Sequence, residues 1–194
     1  VVIGETIRCT PLIPPPGYWK KIRAACDKHG ALLILDEIPI CLGRTGRMFA
    51  CEHYDVVPDM LVIGKGLGGG ILPLAALIAR EDLDLMSDLA LGHYTHEKNP
   101  VAAAAALAAI QFVEEENLLS HAGKIGAFAL NRLQELMAEF PLVGEVRGIG
   151  LLLGIELVRN RQTMERARDE AEKVMYAALA RGLNFKLTMV NIVT

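Results

Sequence analysis

Apolar and polar positions along the chain alternate in blocks that read in turn as strands and helices. Val1–Ile7 reads as a strand, and the run Pro14-Pro15-Pro16-Gly17 after it is a rigid loop, because consecutive prolines enter neither helix nor central sheet. Tyr18–His29 reads as a helix with Trp19, Ile22, Ala25 and Cys26 on one face, stopped by Gly30. Ala31–Leu35 is continuously apolar, which predicts a strand buried on both faces, as in a parallel sheet covered by helices. It ends in Asp36-Glu37. A Gly-rich loop, Leu42–Arg47, leads on to a second short strand at Met60–Ile63, then Gly64-Lys65-Gly66, then a strand over Leu72–Ala79. Asn99-Pro100 is a helix start, with Asn as cap and Pro in the first turn, and the helix runs to about Glu116.

The character then changes. Ser120–Phe140 reads as an amphipathic helix with Ile125, Phe128, Ala129, Leu133, Leu136 and Met137 inward. Val143–Val158 reads as two strands around Arg147-Gly148-Ile149-Gly150, and Thr163–Arg181 as a charged helix with Ala171, Val174, Met175 and Leu179 on one side. Val190–Thr194 is again strand-like. A domain division is expected between residues 118 and 119.

Composition narrows the class. The chain has 194 residues, 52% hydrophobic and 22% charged, enough apolar surface for a packed core. A net charge of −3 with no basic face argues against nucleic acid as a partner. Mean hydropathy is high at +0.32, yet the longest apolar run, Val101–Ile110, is too short to cross a membrane. Cys9, Cys26, Cys41 and Cys51 form no C-x-x-C pair and read as reduced thiols of a cytoplasmic protein. Both ends fall inside strand-like runs, so a piece of a longer chain is expected.

Candidate chemistry gathers at the ends of the strands. In open α/β sheets ligands bind outside the carboxyl ends of the strands, where Asp36, Glu37 and Lys65 stand. Gly64 and Gly66 leave room around the Lys65 amine, and a lysine ending a buried strand is expected to be poorly hydrated and therefore nucleophilic. Two nucleotide readings fare worse. A P-loop lysine is followed by Ser or Thr, and Gly66 follows Lys65. Gly64–Gly69 fits G-x-G-x-x-G but is followed by strand-like residues where a dinucleotide site opens a helix. His93 and His96 are three apart in a stretch preceding a helix, so they read as polar loop residues and no metal site is expected. Arg44, Arg47 and Arg147 are candidate anion holders, or ordinary surface arginines.

Taken in order, Leu33-Ile34-Leu35-Asp36-Glu37-Ile38, Leu42-Gly43-Arg44-Thr45-Gly46, Pro58-Asp59-Met60-Leu61 and Gly64-Lys65-Gly66-Leu67-Gly68-Gly69-Gly70 resemble the signature of class III aminotransferases. Glu5, Pro14–Tyr18, Thr95 with Asn99-Pro100, Val146-Arg147-Gly148 and Gly154–Leu157 extend the resemblance over nearly the whole chain. It implies an α/β fold, the pyridoxal-phosphate-dependent transferase fold of aspartate aminotransferase (fold type I). Residues 1–118 would be the later half of the large domain, with its mostly parallel sheet, and 119–194 the start of an α+β small domain. It implies pyridoxal 5'-phosphate as cofactor. Lys65 resembles the lysine that carries it as a Schiff base and moves protons at the substrate carbon. Asp36 resembles the carboxylate paired with the pyridine nitrogen, Ile38 the branched residue on the ring face, and Thr95 the residue that reaches the cofactor phosphate of a neighbouring subunit, which implies a homodimer with shared active sites.

The implied activity is transfer of an amino group from an amino acid or amine to a 2-oxo acid. The alternatives are racemisation or epimerisation, decarboxylation or elimination on the same cofactor, or a non-catalytic fragment acting through its dimer surface. Three positions depart from the family pattern: Pro39 stands where Gln is common, Cys41 where Gly is usual, and His96-Glu97-Lys98 where an aromatic-Gly-Gly run precedes Asn-Pro. The family's Gly/Ser-rich phosphate cup lies upstream of these residues and the rest of the small domain downstream, so the 194 residues alone are expected to be inactive.

Overall fold

The structure is a computed structural model and describes residues 1–86, 88, 89, 95 and 97–194. The chain divides into two compact units. The first comprises residues 1–7, 14–43 and 47–119, the second 8–13, 44–46 and 120–194. Two short excursions from the first half of the chain therefore pack with the second unit.

The first unit is built on a four-stranded sheet in the order β1 (Val2–Glu5), β2 (Leu33–Asp36), β3 (Met60–Ile63), β4 (Ala76–Ala79). The first three strands are parallel and β4 is antiparallel to β3. The α/β class expected from the sequence is therefore present. Helix α1 (Tyr18–His29) makes the crossover between β1 and β2 and is closed by Gly30 in the left-handed conformation, with its N–H bonded to Asp27 and Cys26 carbonyls. Trp19 anchors it: the indole N–H donates to the Thr6 carbonyl at 2.8 Å, and the ring rests on Gly4, where a β-carbon would come within 3.0 Å of it. Arg23, rather than Ala25, shares the inward face with Trp19, Ile22 and Cys26.

The core runs through Ile7, Leu33, Leu35, Ile40, Ala50, Leu61, Ile63 and Leu67. Leu33 and Leu35 are buried while Ile34 is half-buried and all of β4 is exposed, so one face of β2 is buried and the other only half-covered, short of the burial on both faces expected from its apolar run. Helix α2 (Pro100–Glu115) begins as expected, with the Asn99 side chain accepting from the Val101 N–H at 3.0 Å and Pro100 in the first turn.

The amino ends of the strands are tied by Asp59. Its carboxylate is 5% exposed and accepts from the Leu33 N–H at 2.7 Å, from Arg23 at 2.7 Å and from Arg80 at 2.6 Å. Burial pulls this carboxyl up, but the Leu33 N–H and the two guanidinium groups outweigh it and hold it down at about 2.

The second unit is antiparallel. Its sheet runs β5 (Val143–Ile149), β6 (Leu152–Asn160), β9 (Ile192–Val193), β8 (Leu187–Thr188), with β7 (Glu165–Arg166) also paired to β6. Val143, Leu157, Ala167 and Ala171 form its core, with Met137, Leu142 and Val146 packed on them. Three expectations change here. Helix α3 (Leu118–Glu139) turns Ala122 and Gly126 inward, and Ile125, Phe128 and Leu136 outward. The reason is proximity: a β-carbon at Gly126 would lie 2.1 Å from the Gly150 carbonyl oxygen, so only small residues fit on that face. Helix α4 starts at Arg168 rather than Thr163 (Arg168–Leu179), because the Asn160 side chain captures the Gln162 and Thr163 N–H groups in a turn. Val174 and Leu179 then lie on its exposed side.

Candidate active site

The parallel strands place three chemistry-bearing positions on one edge. Glu5 and Asp36 are register partners at the carboxyl ends of β1 and β2, and Asp36 is also opposite Val62 of β3. Lys65 follows Val62 by three residues. It opens a one-turn 3₁₀ helix (Lys65–Gly68) and holds a left-handed backbone, φ 45°, uncommon for a residue with a β-carbon. Strain of this kind persists where the surroundings impose it, and it turns Lys65 out of the strand direction. The lysine is exposed, not poorly hydrated as its place after a buried strand suggested. Its amine makes no hydrogen bond or ion pair among the described residues.

Asp36 is half-buried. One oxygen, Oδ1, accepts from the Ile38 N–H at 3.0 Å; Oδ2 has no partner among the described residues and can take a donor. Ile38 borders the lysine turn: a β-carbon at Gly64 would stand in contact, 3.4 Å from Ile38 Cγ2 and equally close to Ala75. Asp36, Ile38 and the turn bearing Lys65 thus share the carboxyl edge. Thr95 is exposed in a turn. His93 and His96 lie outside the described residues.

The Pro39 departure has a local explanation. In the turn after β2 the Glu37 carbonyl accepts from Ile40 N at 3.0 Å and Cys41 N at 2.9 Å, and Ile38 N serves Asp36. Position 39 is the one place in this turn where a missing N–H costs nothing. Cys41 is buried, with its thiol 3.8 Å from the Gly64 carbonyl.

Sequence reasoning placed Glu37 beside Asp36 at the strand end but gave it no role of its own. It is fully buried, its Oε1 accepting from Thr6 Oγ1 at 2.8 Å and Cys51 N at 2.7 Å, and its Oε2 from Ala50 N at 2.6 Å. Burial pushes this carboxyl above its ordinary value, opposed by those hydrogen bonds. Burial, then the Glu37 charge, push the Cys51 thiol up to about 12. The signal for Glu37 was a second acidic residue directly after the strand Leu33–Asp36; its donors come from residues 31 before and 13 and 14 after it.

Other candidates find structural partners. Arg147 donates to the Pro11 carbonyl at 2.6 Å and pairs with Glu145 and Glu156, so it is a brace of the second unit. The Gly64–Gly69 segment opens only the 3₁₀ turn and then Gly69, Gly70 and β4, not the long helix of a dinucleotide site. Among the described residues no three His, Cys, Asp or Glu side chains gather to hold a metal, and no helix is long and apolar enough to cross a membrane.

The carboxyl edge of the three parallel strands thus carries an acid and, after the neighbouring strand, a lysine whose amine has no partner among the described residues. The chain belongs to the class III aminotransferases: the profile of that family matches residues 5–194. It is 46% identical over 192 residues to the (R)-1-hydroxy-2-aminoethylphosphonate ammonia-lyase of Vibrio splendidus, covering 98% of this chain and 40% of that protein. It is 47% identical over 174 residues to the leucine/methionine racemase of Thermococcus litoralis, covering 89% and 39%. Among solved structures, a PLP-bound amine transaminase from an uncultivated Pseudomonas species superposes with a TM-score of 0.91 at 32% identity, over 98% of this chain and 46% of that one. The chain spans about two fifths of the length of the curated relatives it matches. Pyridoxal phosphate is the cofactor of this family, and among the described residues Asp36 Oδ2 and the Lys65 amine are both open to a bound group.

Proposed function

We propose that the full protein is a pyridoxal-phosphate-dependent aminotransferase moving an amino group from an amino acid or amine to a 2-oxo acid. The observation that carries this is the pairing on one sheet edge of an acid with an open acceptor oxygen and a lysine amine with no partner among the described residues. When bound, the cofactor supplies an electron sink for the carbanion formed at the substrate carbon. Lys65 is the covalent anchor for it and the group that takes and returns the proton at that carbon. Its exposure suits a base that must reach two positions. Asp36 keeps a proton on the pyridine nitrogen by placing a negative charge beside it. Ile38, beside the Gly64 turn, packs on the ring face. Thr95 binds the cofactor phosphate of a partner subunit in a homodimer with shared active sites. Residues 1–118 serve as the later half of the cofactor-binding domain and 119–194 as the start of the small domain. The four free thiols support a cytoplasmic setting.

Racemisation or elimination on the same cofactor is the second reading. What favours it is the 46% and 47% identity to an ammonia-lyase and a racemase. Consumption of a 2-oxo acid in proportion to product separates the two. The test of the core reading is borohydride reduction of the full-length protein followed by peptide mass mapping. A pyridoxyl mass on the Lys65 peptide is expected; its absence from folded protein in excess cofactor refutes the assignment.

A further inference from the structure

Glu37 is the most buried acidic residue among those described, with no exposed surface, and it has no cation beside it. Such a group is retained at a desolvation cost that an apolar side chain in its place would avoid. What it contributes is geometry. A carboxylate accepts about four hydrogen bonds. Here the Thr6 hydroxyl and the Ala50 and Cys51 N–H groups provide three donors. These come from the residue after β1 and from the start of the 3₁₀ turn Ala50–Tyr54. The backbone of Glu37 is held as well: its N–H donates to the Val62 carbonyl at 2.9 Å, and its carbonyl takes the Ile40 and Cys41 N–H groups.

Successive side chains of a strand point to opposite sides, so the peptide joining Asp36 to Glu37 cannot rotate without carrying both. The Glu37 side chain is locked on one side by three donors. On the other side Asp36 makes only the bond from Ile38, whose own position depends on the same turn. We infer that Glu37 is a positioning residue of this site, its carboxylate tying Thr6 and the Ala50–Tyr54 turn to the end of β2 and so fixing the direction of the Asp36 carboxylate. The inference rests on the role given to Asp36 above and deepens it.

The test uses the full-length protein as wild type, Glu37→Gln and Thr6→Val, with and without cofactor. Without cofactor, hydrogen exchange of the Ile38 amide, which reports the bond to Asp36, is expected to speed up by about tenfold in Glu37→Gln, with Leu61–Ile63 unchanged. With cofactor, kcat is expected to fall by about tenfold or more while KM stays within about threefold, since a misaimed group costs rate before binding. The pH profile of the bound-cofactor absorbance should move with it. Thr6→Val, which keeps the carboxylate and removes one donor, should shift the same readouts less, and it decides the matter if Glu37→Gln does not fold. Faster exchange confined to Ala50 and Cys51, with Ile38 and the absorbance profile unchanged, overturns the inference and leaves Glu37 as a purely structural tie. The exchange readout needs no cofactor. A missing pyridoxyl mass on Lys65 therefore counts against the proposed function alone, and an unchanged Ile38 amide counts against Glu37 alone.

Discussion

Replacing Asp59 by Asn removes one charge at the point where the amino ends of β2 and β3 meet α1. The wild-type carboxylate stands among the Leu33 N–H and the Arg23 and Arg80 guanidinium groups, with only 5% of its surface exposed. Its pKa falls from an ordinary 3.8 to about 2 in the folded protein. At about 1.4 kcal/mol per unit, that drop stabilises the folded protein by about 2 kcal/mol at neutral pH. Asn keeps an oxygen for the Leu33 N–H but sets an NH₂ donor against Arg23, so the expected loss is about 2–3 kcal/mol.

The sign follows from the depressed folded value. The stabilisation is complete above the unfolded pKa of 3.8 and is lost as pH falls towards the folded value of about 2. Urea unfolding of wild type and Asp59→Asn from pH 7 to pH 3 should therefore show a gap that is constant down to about pH 5 and roughly halved at pH 3. Comparing the two proteins at each pH cancels the other carboxylates. A gap below about 0.5 kcal/mol at pH 7, or one of equal size at pH 3, would falsify the view that this ion cluster ties the sheet to α1.

Two further outcomes are expected. Gly126→Ala places a β-carbon 2.1 Å from the Gly150 carbonyl oxygen, backbone against backbone, and should destabilise the second unit by about 3 kcal/mol or more; a thermal melt within about a degree of wild type contradicts that close approach. In native protein at pH 8, iodoacetamide should label the half-buried Cys9 first and Cys51 last, since Cys51 is buried and its thiol is pushed up to about 12; mass mapping that finds Cys51 modified early shows that the Glu37 cluster opens.

Much of the first unit was readable because its signals are local. The Gly30 stop, the Asn99-Pro100 start and the apolar run before Asp36 each depend on a few neighbouring residues, and α1, α2, β2 and β3 lie where those signals put them. The ordered run from Leu33 to Gly70 also carried the family, because its motifs can be read in order along the chain without knowing what surrounds them. Periodicity misled in α3. Hydrophobicity favours Ile125 and Phe128 as the inward residues, yet Gly150 approaches so closely that Ala122 and Gly126 take that face.

By itself the sequence determined the alternation of strands and helices, the parallel character implied by β2, and the pairing of an acid with a lysine on successive strand ends. Only the tertiary structure decided which side of each helix is covered, that Lys65 stands exposed in a left-handed turn, that Arg147 is a brace, and that Glu37 is the buried hub behind Asp36. The difference is one of range. Strand and helix signals are set by neighbours within about four residues. The donors that satisfy Glu37 lie 13 to 31 residues away, and no spacing rule connects them until the chain has folded.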